Sequence, residues 1–180
     1  MADVANTEKR IDDAFLIGGA EHREIVLVPY DSGWPQLYET RRQLIQAALG
    51  STARRIEHIG STAVPGLPAK PIIDVLVVVG DVEHEAAYLA ALEAAGFVLR
   101  VREPGHRMMR TVDLGVHVHF YSEGASAIER YLTFRDRLRS SEKDHDRYAA
   151  TKRELAARDW PTMNHYADAK TDVIQQILNR

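Results

Sequence analysis

The stretch from Ile56 to Val79, IEHIGSTAVPGLPAKPIIDVLVVV, constrains this chain more than any other. Its last part, Pro71 to Val79, is apolar at every position but Asp74. A strand that is apolar on both faces belongs in the middle of a sheet covered on both sides. A carboxylate placed there loses its hydration, so Asp74 needs a cation, a hydrogen-bond donor or a proton to compensate. Upstream, Gly60-Ser61 form a turn, and Pro65, Pro68 and Lys70 mark a loop leading into the strand.

With 180 residues, 45% of them hydrophobic and 27% charged, the chain fits one soluble domain with a full core. We read residues 1–22 as a weakly ordered lead, polar and punctuated by Gly18-Gly19, and 23–180 as a single domain. A formal charge of -3 carries no basic excess for sequence-independent nucleic-acid binding, and points to a small-molecule ligand. The chain has no cysteine, which removes disulfides, thiolate metal sites and a cysteine nucleophile, and fits a cytoplasmic protein. No signal peptide and no membrane-spanning run is expected.

Ile25 to Val28 reads as a strand. Asp31-Ser32 then offer caps for a helix in which Trp34, Leu37, Tyr38, Leu44, Ile45, Ala48 and Leu49 recur at helical spacing until Gly50. Ile56–Ile59 and Pro71–Val79 are expected as strands, with a helix from about His84 to Ala95 and a strand over Phe97–Val101. A hairpin follows, with arms Arg107–Val112 and Val116–Tyr121. In its second arm Val116, Val118 and Phe120 share one face, and His117, His119 and Tyr121 the other. Three helices close the chain, at about 125–139, 143–158 and 163–178. Strands mixed with helices, then helices alone, describe a mixed sheet with helices packed against it.

Several groups can carry chemistry. Asp74 is either held in a structural network by Lys70 or backbone donors, or serves a ligand. The i,i+2 spacing of His117 and His119 aims both rings the same way, as two metal ligands require and as an exposed hairpin face also allows. His58 is either a ligand contact or a satisfied structural histidine. Arg135 and Arg139 lie four apart on one helix face, with Lys152 and Lys170 on the helices that follow. Converging on a cleft, with Arg107 facing it too, they would clamp phosphate; separately they are surface charges.

The run His58-Ile59-Gly60-Ser61-Thr62-Ala63-Val64-Pro65-Gly66-Leu67, with Ala69-Lys70-Pro71-Ile72-Ile73-Asp74 after it, resembles the GrpB family. The resemblance extends to Val28-Pro29-Tyr30-Asp31 with Trp34, the His117–His119 strand, Phe134-Arg135-Asp136, Leu138-Arg139, Lys152-Arg153-Glu154-Leu155-Ala156, and Tyr166 with Ala169-Lys170. It implies an α/β (α+β) fold: a nucleotidyltransferase-like mixed sheet flanked by helices, with a helical C-terminal part. Nucleotidyltransferases hold phosphates against a Gly-Ser turn and bind divalent ions with carboxylates spaced Asp-x-Asp on the next strand, joined by a third on a neighbouring strand. Here Gly60-Ser61 and Asp74 fill the first two places, Leu76 stands where the second carboxylate would be, and His117 or His119 is left for the third.

The resemblance therefore implies an enzyme transferring a nucleotidyl or phosphoryl group from a nucleotide or phosphorylated small molecule to a small acceptor, with Asp74, His119 and Ser61 catalytic. His58, Gly60, Ser61, Lys70, Arg107, Arg135, Arg139, Lys152 and Lys170 would bind the phosphates. Asp74, His117 and His119 would hold a divalent cation: magnesium, manganese or zinc, of which imidazole suits the latter two. Neither nucleic acid nor membrane is an expected partner. One alternative is a non-catalytic nucleotide- or phosphate-binding module, since the family also occurs as an extra domain on dephospho-coenzyme A kinases and Leu76 cannot bind a metal. Another is a metal-dependent hydrolase or oxygenase built on Asp74, His117 and His119.

Overall fold

The computed structural model describes residues 13–180; residues 1–12 of the lead lie outside the described residues. Along the chain run helix α1 (Trp34–Leu49), strands β1 (Arg55–Ile59) and β2 (Ile73–Val79), helix α2 (Leu89–Ala94), and strands β3 (Phe97–Glu103), β4 (His106–Thr111) and β5 (Val116–Ser122). Helices α3 (Ser126–Ser140), α4 (Glu142–Ala156), α5 (Met163–Asp168) and α6 (Thr171–Leu178) follow. The strands form one mixed sheet in the order β1-β2-β5-β4-β3, in which only β2 and β5 run parallel.

The apolar strand takes the place its composition demands. Paired on both sides, β2 sends Val75, Val77 and Val79 to one face of the sheet, where they pack with Trp34, Ile45, Leu92, Phe97, Met109, Val118 and Phe120. On the other face Leu76 and Val78 meet Ile59, Tyr121, Ile128 and Leu132 under α3. A third cluster, Val64, Leu67, Leu138, Tyr148, Ile174 and Ile177, joins the loop before β2 to the C-terminal helices. Helices therefore cover both faces, and the loop that carries Lys70 is pinned beneath α3, α4 and α6.

Local structure departs from the sequence reading in three places. Ile25–Val28 is not a strand: a single bridge links Val28 to Ala69 through Val28 N–H to Ala69 O at 2.9 Å and Ala69 N–H to Val28 O at 3.0 Å. Hydrogen-bonded pairs alternate along an antiparallel ladder, so the next one would set Val26 opposite Pro71, which has no N–H to give. The expected helix from His84 is a 3₁₀ turn at Glu85–Ala87 followed by the short α2. The last helix breaks at Ala169-Lys170, where Lys170 N–H bonds back to Ala167 O at 3.2 Å before α6 begins.

The described part of the lead lies along the outer strand. Leu16 bridges Val101, the Arg100 guanidinium donates to the carbonyls of Ile17 and Gly19, and Glu21 receives both Arg110 guanidinium nitrogens at 2.7 and 3.0 Å. Among the described residues no helix is long and apolar enough to cross a membrane.

Candidate metal and anion site

The register of β2 against β5 builds the centre of the site. Asp74 pairs with His117 and Leu76 with His119, so these side chains leave the sheet on the face opposite Val75 and Val118. His117 Nδ1 lies 3.6 Å and His119 Nε2 3.7 Å from Asp74 Oδ1. Burial works against the charged form of Asp74, but the two imidazoles beside it outweigh that cost and hold the carboxyl well below its usual range.

One oxygen and two nitrogens, all within 4.8 Å of one another, are a donor set for a divalent ion. With bonds of about 2.0–2.1 Å, neighbouring ligands around a tetrahedral ion stand about 3.3–3.4 Å apart, so a small inward movement of these atoms suffices. Two imidazoles suit zinc or manganese better than magnesium, which favours oxygen. The residues present thus fit a cation, with Asp74, His117 and His119 as its ligands.

The turn ahead of β2 is shaped around the same carboxylate. Gly60, at φ 70° and ψ -173°, starts the 3₁₀ turn Ser61–Ala63, and a Cβ at this position would collide with Asp74. Gly60 and Ser61 both line a cleft of about 470 Å³ that also contains Asp74, His117 and His119. His58 stands behind the turn: it is buried, stacks on Tyr38 with ring centroids 4.6 Å apart, and places Nε2 3.0 Å from Thr62 Oγ1. Because the Thr62 hydroxyl donates to Ile72 O at 3.1 Å, His58 is the donor to Thr62. Burial pushes its pKa down to about 4, against the pull of Asp74 and with help from Arg139 and Arg135. His58 braces the Gly-Ser turn and does not line the cleft.

Three lysines from separate elements meet in the cleft. Lys70 comes from the loop before β2, Lys152 from α4 and Lys170 from the break between α5 and α6. Lys70 Nζ and Lys170 Nζ lie 5.5 and 5.3 Å from the ring centroid of the buried Tyr166. Lys152 is 3% exposed, donates to Pro68 O and has Nζ 5.4 Å from the Tyr148 ring centroid. Burial first, then repulsion from Lys170 and Lys70, brings its pKa down to about 6, against attraction from Asp74. An anion among these amines would relieve the repulsion.

The arginines divide. Arg135 lines the cleft and is held by Glu57 Oε2 and His58 O, both at 2.9 Å, and by Asp136 at 2.8 Å. Arg139 donates to Ala63 O at 2.9 Å, supporting the turn from behind, and does not line the cleft. Arg107 is a correction to the sequence reading. It alternates with Met108, projects to the same face as Met109 and Phe120, and is tied there to Glu85 and Glu83. The sheet separates it from the cleft.

Two further residues escape the sequence reading. His106, one position ahead of the expected arm, falls on the His119 face of β4, and its Nε2 is 3.1 Å from His119 Nδ1. Glu103 Oε2 lies 3.4 Å from His106 Nδ1. The hairpin register, with Arg107 opposite Phe120 and Met108 opposite His119, is the signal that finds His106. Tyr121 and Tyr131 complete this wall; Tyr121 stacks on His106 with centroids 4.8 Å apart.

A family model described as GrpB protein matches residues 24–180. The chain belongs to the GrpB family. A UPF0157 protein of Streptomyces coelicolor is 52% identical over 165 residues, 92% of this chain and 88% of the relative. A UPF0157 protein of Halalkalibacterium halodurans is 42% identical over 188 residues, covering 100% and 96%. The crystal structure of the conserved protein GrpB from Enterococcus faecalis superposes with a TM-score of 0.75 at 29% identity, covering 86% of this chain and 98% of that one. The mixed five-stranded sheet flanked by helices is thus a GrpB fold. A shorter match reaches dephospho-CoA kinase of Mycobacterium tuberculosis, 39% identical over 74 residues, 39% of this chain and 18% of the kinase.

Proposed function

We propose that this member of the GrpB family binds a nucleotide or similar phosphorylated small molecule in the cytoplasm, with a divalent cation at Asp74, His117 and His119, and transfers a nucleotidyl or phosphoryl group to a small acceptor. One observation carries the reading: a cation-ligating set and three converging lysines share one cleft of about 470 Å³. Lys70, Lys152 and Lys170 bind and neutralise the phosphates, while Arg135 fixes the strand end at His58 against α3. The cation, when bound, would polarise a phosphoryl oxygen and offset developing negative charge. Gly60-Ser61 bring backbone to the phosphates beside Asp74, as the resemblance to nucleotidyltransferases implies.

Leu76 supports a second reading. It is fully buried at the place of the second carboxylate, and this favours a module that keeps the pocket without the transfer chemistry. The partial likeness to a dephospho-CoA kinase makes coenzyme A precursors natural ligands to test for such a module.

Thermal shift and calorimetry with nucleoside triphosphates and coenzyme A precursors, each with zinc, manganese or magnesium, test both readings. Cation-dependent stabilisation is expected, lost in Asp74→Asn and in Lys152→Met. Turnover of the ligand identifies the transferase and stabilisation without turnover the module; a protein that responds to none of these ligands refutes both.

A further inference from the structure

Beyond the residues that would touch the cation, Asp74 is linked to Glu103 through an unbroken line of side chains. His119 Nε2 lies 3.7 Å from Asp74 Oδ1, His119 Nδ1 lies 3.1 Å from His106 Nε2, and His106 Nδ1 lies 3.4 Å from Glu103 Oε2. Both rings are held in orientation: they lie nearly parallel, 7° apart with centroids 5.4 Å from each other, and His106 also stacks on Tyr121 at 13°. His106 is 6% exposed, so its second nitrogen has little access to water as an alternative partner.

The polarity of this line follows from what each atom can do. A neutral imidazole that gives its Nε2 lone pair to a cation carries its proton on Nδ1. His119 then donates from Nδ1 to His106 Nε2, which accepts only if the proton of His106 is on Nδ1. That proton faces Glu103, a carboxylate that can only accept. Glu103 therefore settles the tautomer of His106, and His106 that of His119.

We propose that His106, oriented by Glu103, is a positioning residue that fixes His119 in the Nδ1–H form and so presents Nε2 as a ligand for a zinc-like cation. The proposal rests on the reading of Asp74, His117 and His119 as a cation site and adds two residues that never touch the ion. Outer partners of this kind orient a ligating histidine and raise its basicity, and their loss typically costs about 10–100-fold in metal affinity.

The experiment is a zinc titration against a competing chelator for wild type, His106→Ala, His106→Gln and Glu103→Ala, with long-range ¹H–¹⁵N spectra of the histidine rings in the zinc-loaded proteins. His106→Ala is expected to bind zinc about 10–100-fold more weakly. His106→Gln, whose amide oxygen accepts from Nδ1–H, should regain most of that loss, and Glu103→Ala should fall between. The wild-type spectrum should show His119 protonated at Nδ1 and His106 at Nδ1. Wild-type zinc affinity in His106→Ala, or His119 protonated at Nε2 in the loaded wild type, overturns the positioning role while leaving the cation site standing. A wild type that binds no zinc overturns the cation site and this inference with it. Melting temperatures separate the effect from unfolding, and a folded His106→Gln that fails to recover affinity also counts against the proposal.

Discussion

Gly60 presents its bare Cα to the carboxylate of Asp74, so closely that a Cβ there would overlap Oδ2. Its φ of 70° with ψ of -173° belongs to a region that essentially only glycine occupies. Gly60→Ala should therefore cost about 1–3 kcal/mol of stability, and by displacing Asp74 it should also weaken divalent-ion binding. Urea unfolding and metal titration measure the two effects. If stability and metal affinity both match wild type, the turn is not a close support for Asp74.

Much of this site is readable along the chain because it depends on short periodicities. The apolar run of β2 announces an inner strand and makes Asp74 stand out, and the alternation in β5 places His117 and His119 together. What joins the two strands is not local. Their parallel pairing crosses from β2 to β5 past α2, β3 and β4, and no spacing in the sequence specifies it. The meeting of Lys70, Lys152 and Lys170 is likewise a product of tertiary packing, and of the break before α6. Arg107 and His106 show how sensitive faces are to parity: in a strand, one position decides whether a side chain joins the cleft or the opposite side. Arg135 and Arg139 share a helix face, yet only the first lines the cleft, because the turn Ser61–Ala63 takes up the second.

His58 sets a limit on acid stability. Its pKa is about 4 in the folded protein against 6.5 ordinarily, so between these values the unfolded chain binds a proton that the folded one does not. Stability from this residue is complete above pH 6.5 and is lost as pH falls toward 4, by roughly 3 kcal/mol in all. His58→Phe keeps a ring against Tyr38 and cannot take up a proton. It should lose the Thr62 contact yet show a shallower fall in stability through this window, followed by denaturant unfolding at a series of pH values. An unaltered acid profile would mean that His58 is not buried as a neutral ring.

Leu76 is a packed residue, and placing an acid at its position should not add a metal ligand. Enclosed by Ile59, Val78, Tyr121, Ile128 and Leu132, it is fully buried, and Leu76→Ala should cost about 2–5 kcal/mol. Leu76→Asp should cost more, because a carboxylate loses its hydration among Ile59, Val78, Ile128 and Leu132, and the His119 ring across the strand pair offsets only part of that loss. Calorimetric melting is the direct measure. A Leu76→Asp protein with near wild-type stability and higher divalent-ion affinity would show that this place is open to a second acidic ligand.

In the proposed anion site, Lys152 makes binding depend on pH. With a pKa of about 6 in the fold and 10.5 as its ordinary value, the amine is protonated in the unfolded chain but largely neutral in the folded one across that interval. The unfolded state binds more protons there, so this residue makes stability rise with pH from about 6 toward 10.5, and its penalty is greatest at and below pH 6. Lys152→Met should flatten that rise in denaturant experiments. A bound phosphate group favours the charged amine and draws a proton onto it, so binding near neutral pH should take up protons. Calorimetry in buffers of different ionisation enthalpy detects this uptake, and it should vanish in Lys152→Met together with about 1.5–3 kcal/mol of binding free energy, the range for a hydrogen bond to a charged partner. Proton uptake that persists in the variant would assign the coupled group to another residue, and undiminished affinity would remove Lys152 from the anion site.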